Sequence, residues 1–157
     1  MLPANLKSIY LSLLTGLMLY LLPWDGFGLM LRPDFVLLFM LYWMLRAPQL
    51  CNIGTAWMAG LLIDLASGSL FGQNALAFAL TAFIAVNFQR RMALFSYWQQ
   101  SGFVLLLLVF AQLVLLILKL FSGADFPGWS YFLPSISGIL LWQLIVIPSV
   151  RSGAQQE

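Results

Sequence analysis

Residues 54–72 read GTAWMAGLLIDLASGSLFG, a short apolar stretch of helical character that ends in an acid, Asp64. Ser67, Gly68 and Gly72 follow at once and are typical of a turn. An ionisable side chain at the centre of a membrane helix costs roughly 2.5–3.5 kcal/mol on insertion scales. A chain that keeps an acid here must therefore give it a specific partner or a role.

The composition of the whole chain indicates a membrane protein. Of its 157 residues, 62% are hydrophobic and 8% are charged, whereas a soluble domain carries about 25% charged residues. A helix needs about 20 residues to cross a bilayer, so six helices take about 120 residues and leave no room for a soluble catalytic domain. The formal charge of +2 is too small to indicate a nucleic-acid partner.

The apolar runs predict an all-α integral membrane protein with six transmembrane helices in a single domain, residues 1–157. Arg32, Pro33 and Asp34 open the second run, and we interpret them as an interfacial helix start with Asp34 in the first turn. The predicted spans are approximately residues 6–22, 31–46, 52–66, 73–88, 98–121 and 129–148.

The positive charges predict an orientation for these spans. Arg32 and Lys119 fall on one side of the membrane, and Asp64 lies near that same side. Loops on the cytoplasmic side are enriched in Lys and Arg, so the side with more cations is the cytoplasmic one. Both termini then face the cytoplasm, an N-in/C-in topology. The cations on the cytoplasmic side are Lys7, Arg46, Arg90, Arg91 and Arg151.

The residue types argue against an enzyme and against a metal or other cofactor. The chain has no histidine and one cysteine, Cys51, which excludes an intramolecular disulfide and a Cys/His zinc site. A serine or cysteine nucleophile needs a base, and no histidine is present to act as one. The remaining acids show no catalytic motif. We therefore predict a protein without catalytic residues.

Small residues predict a tight hairpin of the third and fourth helices. Ala56, Gly60 and Asp64 recur every four residues and therefore share one helix face. In lipid, small residues let two helix backbones approach closely. The turn would run from Ser67 to Gly72, and the face is a candidate docking surface if the hairpin does not use it. The matching stripe on the fourth helix is Ala75, Ala79 and Ala82.

Three roles remain open for Asp64. It hydrogen-bonds the turn at Ser67 and Gly68 or the start of the fourth helix, where an anion is stabilised. It pairs with Arg32, which the topology places on the same side. It contacts a ligand, a proton or a partner protein. The first two roles are compatible with each other. Farther along, Gln112 and Gln143 lie inside the fifth and sixth spans and are expected to form hydrogen bonds between helices.

Taken together, these residues resemble the rod shape-determining protein MreD family, most closely in its gammaproteobacterial form. The resemblance covers about residues 21–100, and the later part agrees mainly in length and hydropathy. The pieces that carry it are Arg32-Pro33-Asp34 with the run to Tyr42-Trp43, Asn52-Ile53-Gly54, the segment from Gly60 to Gly68, Gly72 and Trp98-Gln99-Gln100. The positions of this chain that match the family pattern are Arg32, Pro33, Asp34, Gly60, Asp64, Ser67 and Gly68.

The resemblance implies a multi-pass protein of the bacterial cell inner membrane, surrounded by membrane lipids. It implies a non-enzymatic scaffold of the elongasome that packs with the bitopic protein MreC. Through MreC, the scaffold helps couple MreB filaments to peptidoglycan synthesis by a SEDS glycosyltransferase and a class B penicillin-binding transpeptidase, and so controls cell shape.

The resemblance also implies a fold similar to the substrate-binding subunits of ECF vitamin transporters. That similarity leaves an alternative role, a small-molecule or lipid-binding membrane subunit of a transporter. It does not assign a ligand, because one fold hosts unrelated functions.

Overall fold

The computed structural model describes residues 5–92 and 94–153, with side chains up to residue 146. The side chain of Arg151 and the polar tail that ends at Glu157 lie outside the described residues. Every regular element in the described part is helical. The α-helices are α1 (Leu6–Leu21), α2 (Phe27–Leu31), α3 (Phe35–Arg46), α4 (Ile53–Ser67), α5 (Gln73–Met92), α6 (Tyr97–Phe121) and α7 (Leu133–Gly153), and a 3-10 turn at Trp129–Phe132 precedes α7.

The predicted all-α fold class is confirmed, and the number of spans stays a prediction. By length and composition, three helical segments of the described part are long and apolar enough to cross a membrane: Phe27–Arg46, Tyr97–Phe121 and Trp129–Val146. Leu6–Leu21 and Ile53–Ser67 are shorter apolar helices.

The second predicted span is interrupted near its start. Pro23, Gly26 and Gly28 predict a turn-rich link over residues 23–31, but residues 27–31 form the short helix α2. The chain then leaves helical geometry at Arg32, whose ψ is 109°, because a residue before proline is pushed away from the α region. α3 starts only at Phe35, and Asp34 is its N-cap rather than a residue of its first turn.

α3 is the central helix of the fold. It packs against α1 and α5, with smaller contacts to α4 and α7, and most of its side chains are buried on all sides. A helix that is apolar all round belongs in a protein interior. Its buried residues are Val36, Leu37, Leu38, Met40, Leu41, Trp43 and Met44.

The outer helices expose large apolar side chains that a water-facing surface would not carry. On α1, Tyr10, Leu11 and Met18 are exposed, and on α6 a row of leucine and isoleucine side chains faces outward. Extended apolar patches on a folded chain mark contact with a membrane or with another protein. Together with the apolar helices, this surface indicates a membrane protein. The outward-facing row on α6 consists of Leu106, Leu113, Ile117 and Leu120.

The two glutamines predicted to link helices do so. Ser135 of α7 donates a hydrogen bond to Oε1 of Gln112 on α6 at 2.6 Å. The hydroxyl of Tyr97, at the start of α6, bonds Oε1 of Gln143 on α7. A third link joins Nε2 of Gln89 to the carbonyl of Met44 at 3.0 Å. These hydrogen bonds fix the positions of the helices relative to one another, because contacts between apolar side chains alone have little directional preference.

Candidate functional site

The carboxylate of Asp64 is buried at the end of α4 and is held by the beginning of α5. Its Oδ2 accepts the backbone N–H of Gly72 at 2.9 Å and that of Ala75 at 3.3 Å. Its Oδ1 accepts the backbone N–H and the side-chain amide of Asn74, both at 2.9 Å. The hydroxyl of Ser69 donates to Oδ1 at 3.0 Å. The first N–H groups of a helix lack partners within the helix and lie at its positive end, so Asp64 caps α5 from the preceding helix.

The local sequence allows this cap. α4 begins at Asn52, whose side chain accepts the N–H of Thr55 at 3.2 Å, and it ends at Gly68. Gly68 adopts φ +63°, a left-handed conformation that glycine takes at little cost and that commonly terminates a helix. The chain then reverses and brings the first turn of α5 back against Asp64.

The helices of this hairpin touch at Gly60. A Cβ atom on Gly60 would lie 2.4 Å from Cα of Ala75, and 2.6 Å from both N of Ala75 and the carbonyl oxygen of Asn74. Ala56 and Ala82 are fully buried. The small-residue face of α4 is therefore used within the hairpin, which removes it as a docking surface for another protein.

Arg32 does not pair with Asp64. Its Nη1 donates to the carbonyl oxygen of Tyr20 at 3.2 Å, and its guanidinium carbon lies 4.0 Å from the centre of the Tyr20 ring. Within residues 5–92 and 94–146, both carboxylate oxygens of Asp64 accept hydrogen bonds from the turn and from α5, and no ion pair joins the Arg32 and Asp64 side chains. Of the three roles left open for Asp64, the structure therefore shows the bonds to the turn and to the start of α5 and not the pairing with Arg32, which contacts Tyr20 instead.

A polar cavity of about 560 Å³ lies beside the hairpin, and we call it the Arg32 cavity. It is bounded by the end of α1, by α2 and the break after it, by the α4–α5 turn, by the end of α6 and by the segment before α7. Its polar lining residues are Tyr20, Arg32, Asp34, Ser67, Ser69, Asn74, Gln112, Lys119, Ser130 and Tyr131.

The cavity brings together four of the predicted site positions. Arg32, Pro33, Asp34 and Ser67 line it. Asp34 also caps α3, since its Oδ1 accepts the N–H of Leu37 at 3.5 Å. The other three positions lie behind the wall and shape it. Gly60 lets α4 and α5 approach closely, Asp64 accepts hydrogen bonds from Ser69 and Asn74, and Gly68 turns the chain after α4.

Sequence reasoning missed Lys119, Gln112 and Tyr131 as members of one site. The sequence predicts only the side of the membrane on which Lys119 lies, whereas the structure places it on the cavity wall with its Nζ 5.1 Å from the centre of the Tyr131 ring. The available signal was its predicted position on the same side as Arg32. Contact between α6 and the segment before α7 depends on tertiary packing, which no local pattern encodes.

A second cavity is apolar and opens between α1 and α4; we call it the α1–α4 groove. It has a volume of about 490 Å³. α1 packs mainly on α3, and α4 packs mainly on α5, so the two helices meet only lightly. Small residues form part of the α4 wall. The lining residues are Tyr10, Leu13, Leu14, Leu17, Val36, Gly54, Thr55, Met58, Ala59 and Leu62.

Comparison with known proteins assigns the family. The family model for the rod shape-determining protein MreD matches residues 5–147. The chain belongs to the MreD family. A rod shape-determining protein MreD from Haemophilus influenzae is 30% identical over 129 residues, which cover 82% of this chain and 80% of that relative. No solved structure matches the chain.

Membership of the MreD family supports a role in cell shape and a protein of structural rather than catalytic type. The matched region contains both cavities and the whole hairpin. In the described part of the chain, no group of three or more His, Cys, Asp or Glu side chains is placed to hold a metal ion.

Proposed function

We propose that this chain is a non-enzymatic scaffold of the rod-shape complex in the bacterial cell inner membrane. It packs with an MreC-like bitopic protein and helps couple MreB filaments to the SEDS glycosyltransferase and the class B transpeptidase of peptidoglycan synthesis. The observation that carries this proposal is the MreD family match over residues 5–147. The apolar exterior is consistent with it.

The proposal includes six transmembrane helices with both termini in the cytoplasm, arranged as in the ECF substrate-binding subunits. α1 and α4 have 16 and 15 residues. Because an α-helix rises about 1.5 Å per residue, both helices are shorter than the hydrocarbon core of a typical bilayer. A bilayer that thins locally accommodates short helices at a modest cost per ångström of mismatch.

The α1–α4 groove is the surface that we assign to the partner's transmembrane helix. Helices associate in lipid by close packing, and small residues allow the closest approach. Gly54 and Ala59 supply such positions in the groove, while Leu14 and Met58 flank it as exposed apolar side chains. The membrane-spanning helix of a bitopic protein is apolar on every face and therefore matches an apolar groove. The small-residue face at Gly60 is already occupied by α5.

The first test is deletion of the gene in its own rod-shaped host. Cells without this protein are expected to become round, because cell-wall insertion loses its link to the cytoplasmic filaments. Microscopy measures the ratio of cell length to width, and a plasmid copy should restore it. Rod-shaped cells after a clean deletion, in a strain with no second copy, would contradict the proposal.

The second test locates the partner helix by disulfide cross-linking in the membrane. Met58→Cys places a thiol in the groove, and Leu113→Cys places a matched thiol on the outward face of α6; both native side chains are exposed. We expect Met58→Cys to form a covalent heterodimer with a cysteine scanned along the partner's transmembrane helix. Equal yields from both variants, or a yield from Leu113→Cys alone, would exclude the groove.

The native cysteine does not interfere with this experiment. Cys51 is fully buried between α3 and α4, and its thiol lies 3.8 Å from the carbonyl oxygen of Met40. Burial raises the pKa of the Cys51 thiol to about 11, so the thiol stays protonated at neutral pH. The thiolate is the reactive form, and the unmodified chain should therefore give no cross-link.

A further inference from the structure

The Arg32 cavity carries an excess of positive charge. Arg32 and Asp34 flank the break between α2 and α3, and Lys119 lies in the last turn of α6. Two positive charges and one negative charge leave a formal net charge of +1 on the cavity wall. A charge that is partly removed from water is costly unless a counter-charge or hydrogen bonds compensate it, so this wall favours an anion.

The cations have donors left for such an anion. Arg32 uses Nη1 for the carbonyl oxygen of Tyr20, and the rest of its guanidinium fork makes no other hydrogen bond among the described residues. Lys119 contacts the ring of Tyr131 and forms no ion pair within residues 5–92 and 94–146. The single carboxylate, Asp34, is already engaged as the N-cap of α3. Asp34 also interacts electrostatically with Arg32, so its single charge can balance only one of the two cations, and one positive charge is left on the cavity wall.

The other residues that line the cavity indicate which kind of anion fits. Gln112 accepts a hydrogen bond from Ser135 through Oε1, which leaves its amide N–H groups as further donors beside the two cations. The lining also contains apolar side chains, which include Leu29, Met30 and Leu115. A guanidinium fork matches the oxygens of a phosphate group in a bidentate manner. A lining that combines charged donors with apolar side chains suits an amphiphile with a phosphate headgroup.

We propose that the Arg32 cavity binds the phosphate headgroup of an anionic amphiphile, with Arg32 and Lys119 as the ligating cations. The volume of about 560 Å³ is in the usual range of small-molecule sites. This site lies apart from the α1–α4 groove, so the proposal does not depend on the partner assigned to that groove. It gives the ligand-binding alternative raised by the resemblance a definite chemistry.

Native mass spectrometry of the purified full-length chain in a neutral detergent tests the site. The probes are dioctanoyl phosphatidylglycerol, dioctanoyl phosphatidylcholine and sodium phosphate. We expect one phosphatidylglycerol per chain, retained about tenfold more tightly than phosphatidylcholine, which corresponds to about 1.4 kcal/mol. Displacement of the lipid by sodium phosphate would identify the oxyanion alone as the recognised group, and lack of displacement would identify the whole lipid.

Variants distinguish the cavity from general attraction of anions. Arg32→Gln and Lys119→Gln should each weaken phosphatidylglycerol binding about tenfold, since each removes a charge-assisted contact. Arg32→Lys keeps the charge without the fork and should weaken binding less than Arg32→Gln. Arg90→Gln is the matched control, because Arg90 is exposed and lies in the last turn of α5, far from the cavity. Equal retention of both lipids, or an equal loss in Arg90→Gln, would overturn the proposal.

Discussion

Gly60→Ala is expected to force α4 and α5 apart and to lower the free energy of unfolding by about 3 kcal/mol, at the upper end of typical overpacking effects. The added Cβ would meet Cα and N of Ala75 at 2.4 and 2.6 Å. These are backbone atoms, so no side chain can rotate away and the helices themselves must move. Such a movement also stretches the hydrogen bonds between Asp64 and the first turn of α5. Reversible unfolding of the purified protein in detergent measures the effect.

Gly102→Ala is the matched control for this prediction. Gly102 lies within α6, is exposed, and has no heavy atom within 4 Å of the position its Cβ would take. Alanine at an exposed helix position is more favourable than glycine by about 1 kcal/mol, so this variant should be as stable as the original chain or slightly more so. If Gly60→Ala is as stable as Gly102→Ala, the close approach of the two helices is wrong.

The hairpin is the part of the fold that local patterns predict well. The four-residue spacing of Ala56, Gly60 and Asp64 placed three small or polar positions on one helix face. In lipid, a helix face of small residues serves mainly for close packing against another helix. The structure agrees, with Gly60 against Ala75 and with Asp64 bonded to the start of α5. The spacing within α4 alone identifies the face that packs on α5, so the sequence contains most of the information about this contact.

The Arg32 cavity shows where sequence reasoning fails. Opposite charges on one side of a membrane suggested a pair of Arg32 with Asp64, but shared sidedness does not measure distance. The carbonyl and ring of Tyr20 reach Arg32 because α1 packs against α3. Lys119 joins the site because the end of α6 packs beside Tyr131. These contacts depend on how the chain folds back between helices, and side-chain periodicity within one helix does not predict them.

The short helix α2 has a similar explanation. Glycines at positions 26 and 28 favoured a turn over residues 23–31, yet Phe27–Leu31 is helical and contacts α7. Gly26 takes φ +57° and redirects the chain just before this helix. Tertiary contact therefore outweighs local propensity here, and the resulting segment forms one wall of the Arg32 cavity.

Asp64→Ala is expected to destabilise the protein at least as strongly as Gly60→Ala. The substitution removes the acceptor for the backbone N–H groups of Gly72, Asn74 and Ala75 in a site that is 1% exposed. Each buried donor left without a partner costs about 1–3 kcal/mol, so we expect a loss of about 3 kcal/mol or more. Asp64→Asn keeps one acceptor oxygen and should lose less. Unfolding in detergent and protein abundance in membranes measure the loss.

Two further variants show that the loss comes from the cap of α5 and not from charge alone. Asp125→Ala removes an exposed acid from the loop after α6 and should leave stability nearly unchanged. Arg32→Ala removes one hydrogen bond and one contact with the Tyr20 ring, each worth about 1 kcal/mol, so it should be milder than Asp64→Ala. If Arg32→Ala and Asp64→Ala are equally destabilised, and the double variant is no worse than either, the two side chains act as a pair. That result would contradict the separate local contacts of Arg32 with Tyr20 and of Asp64 with the start of α5.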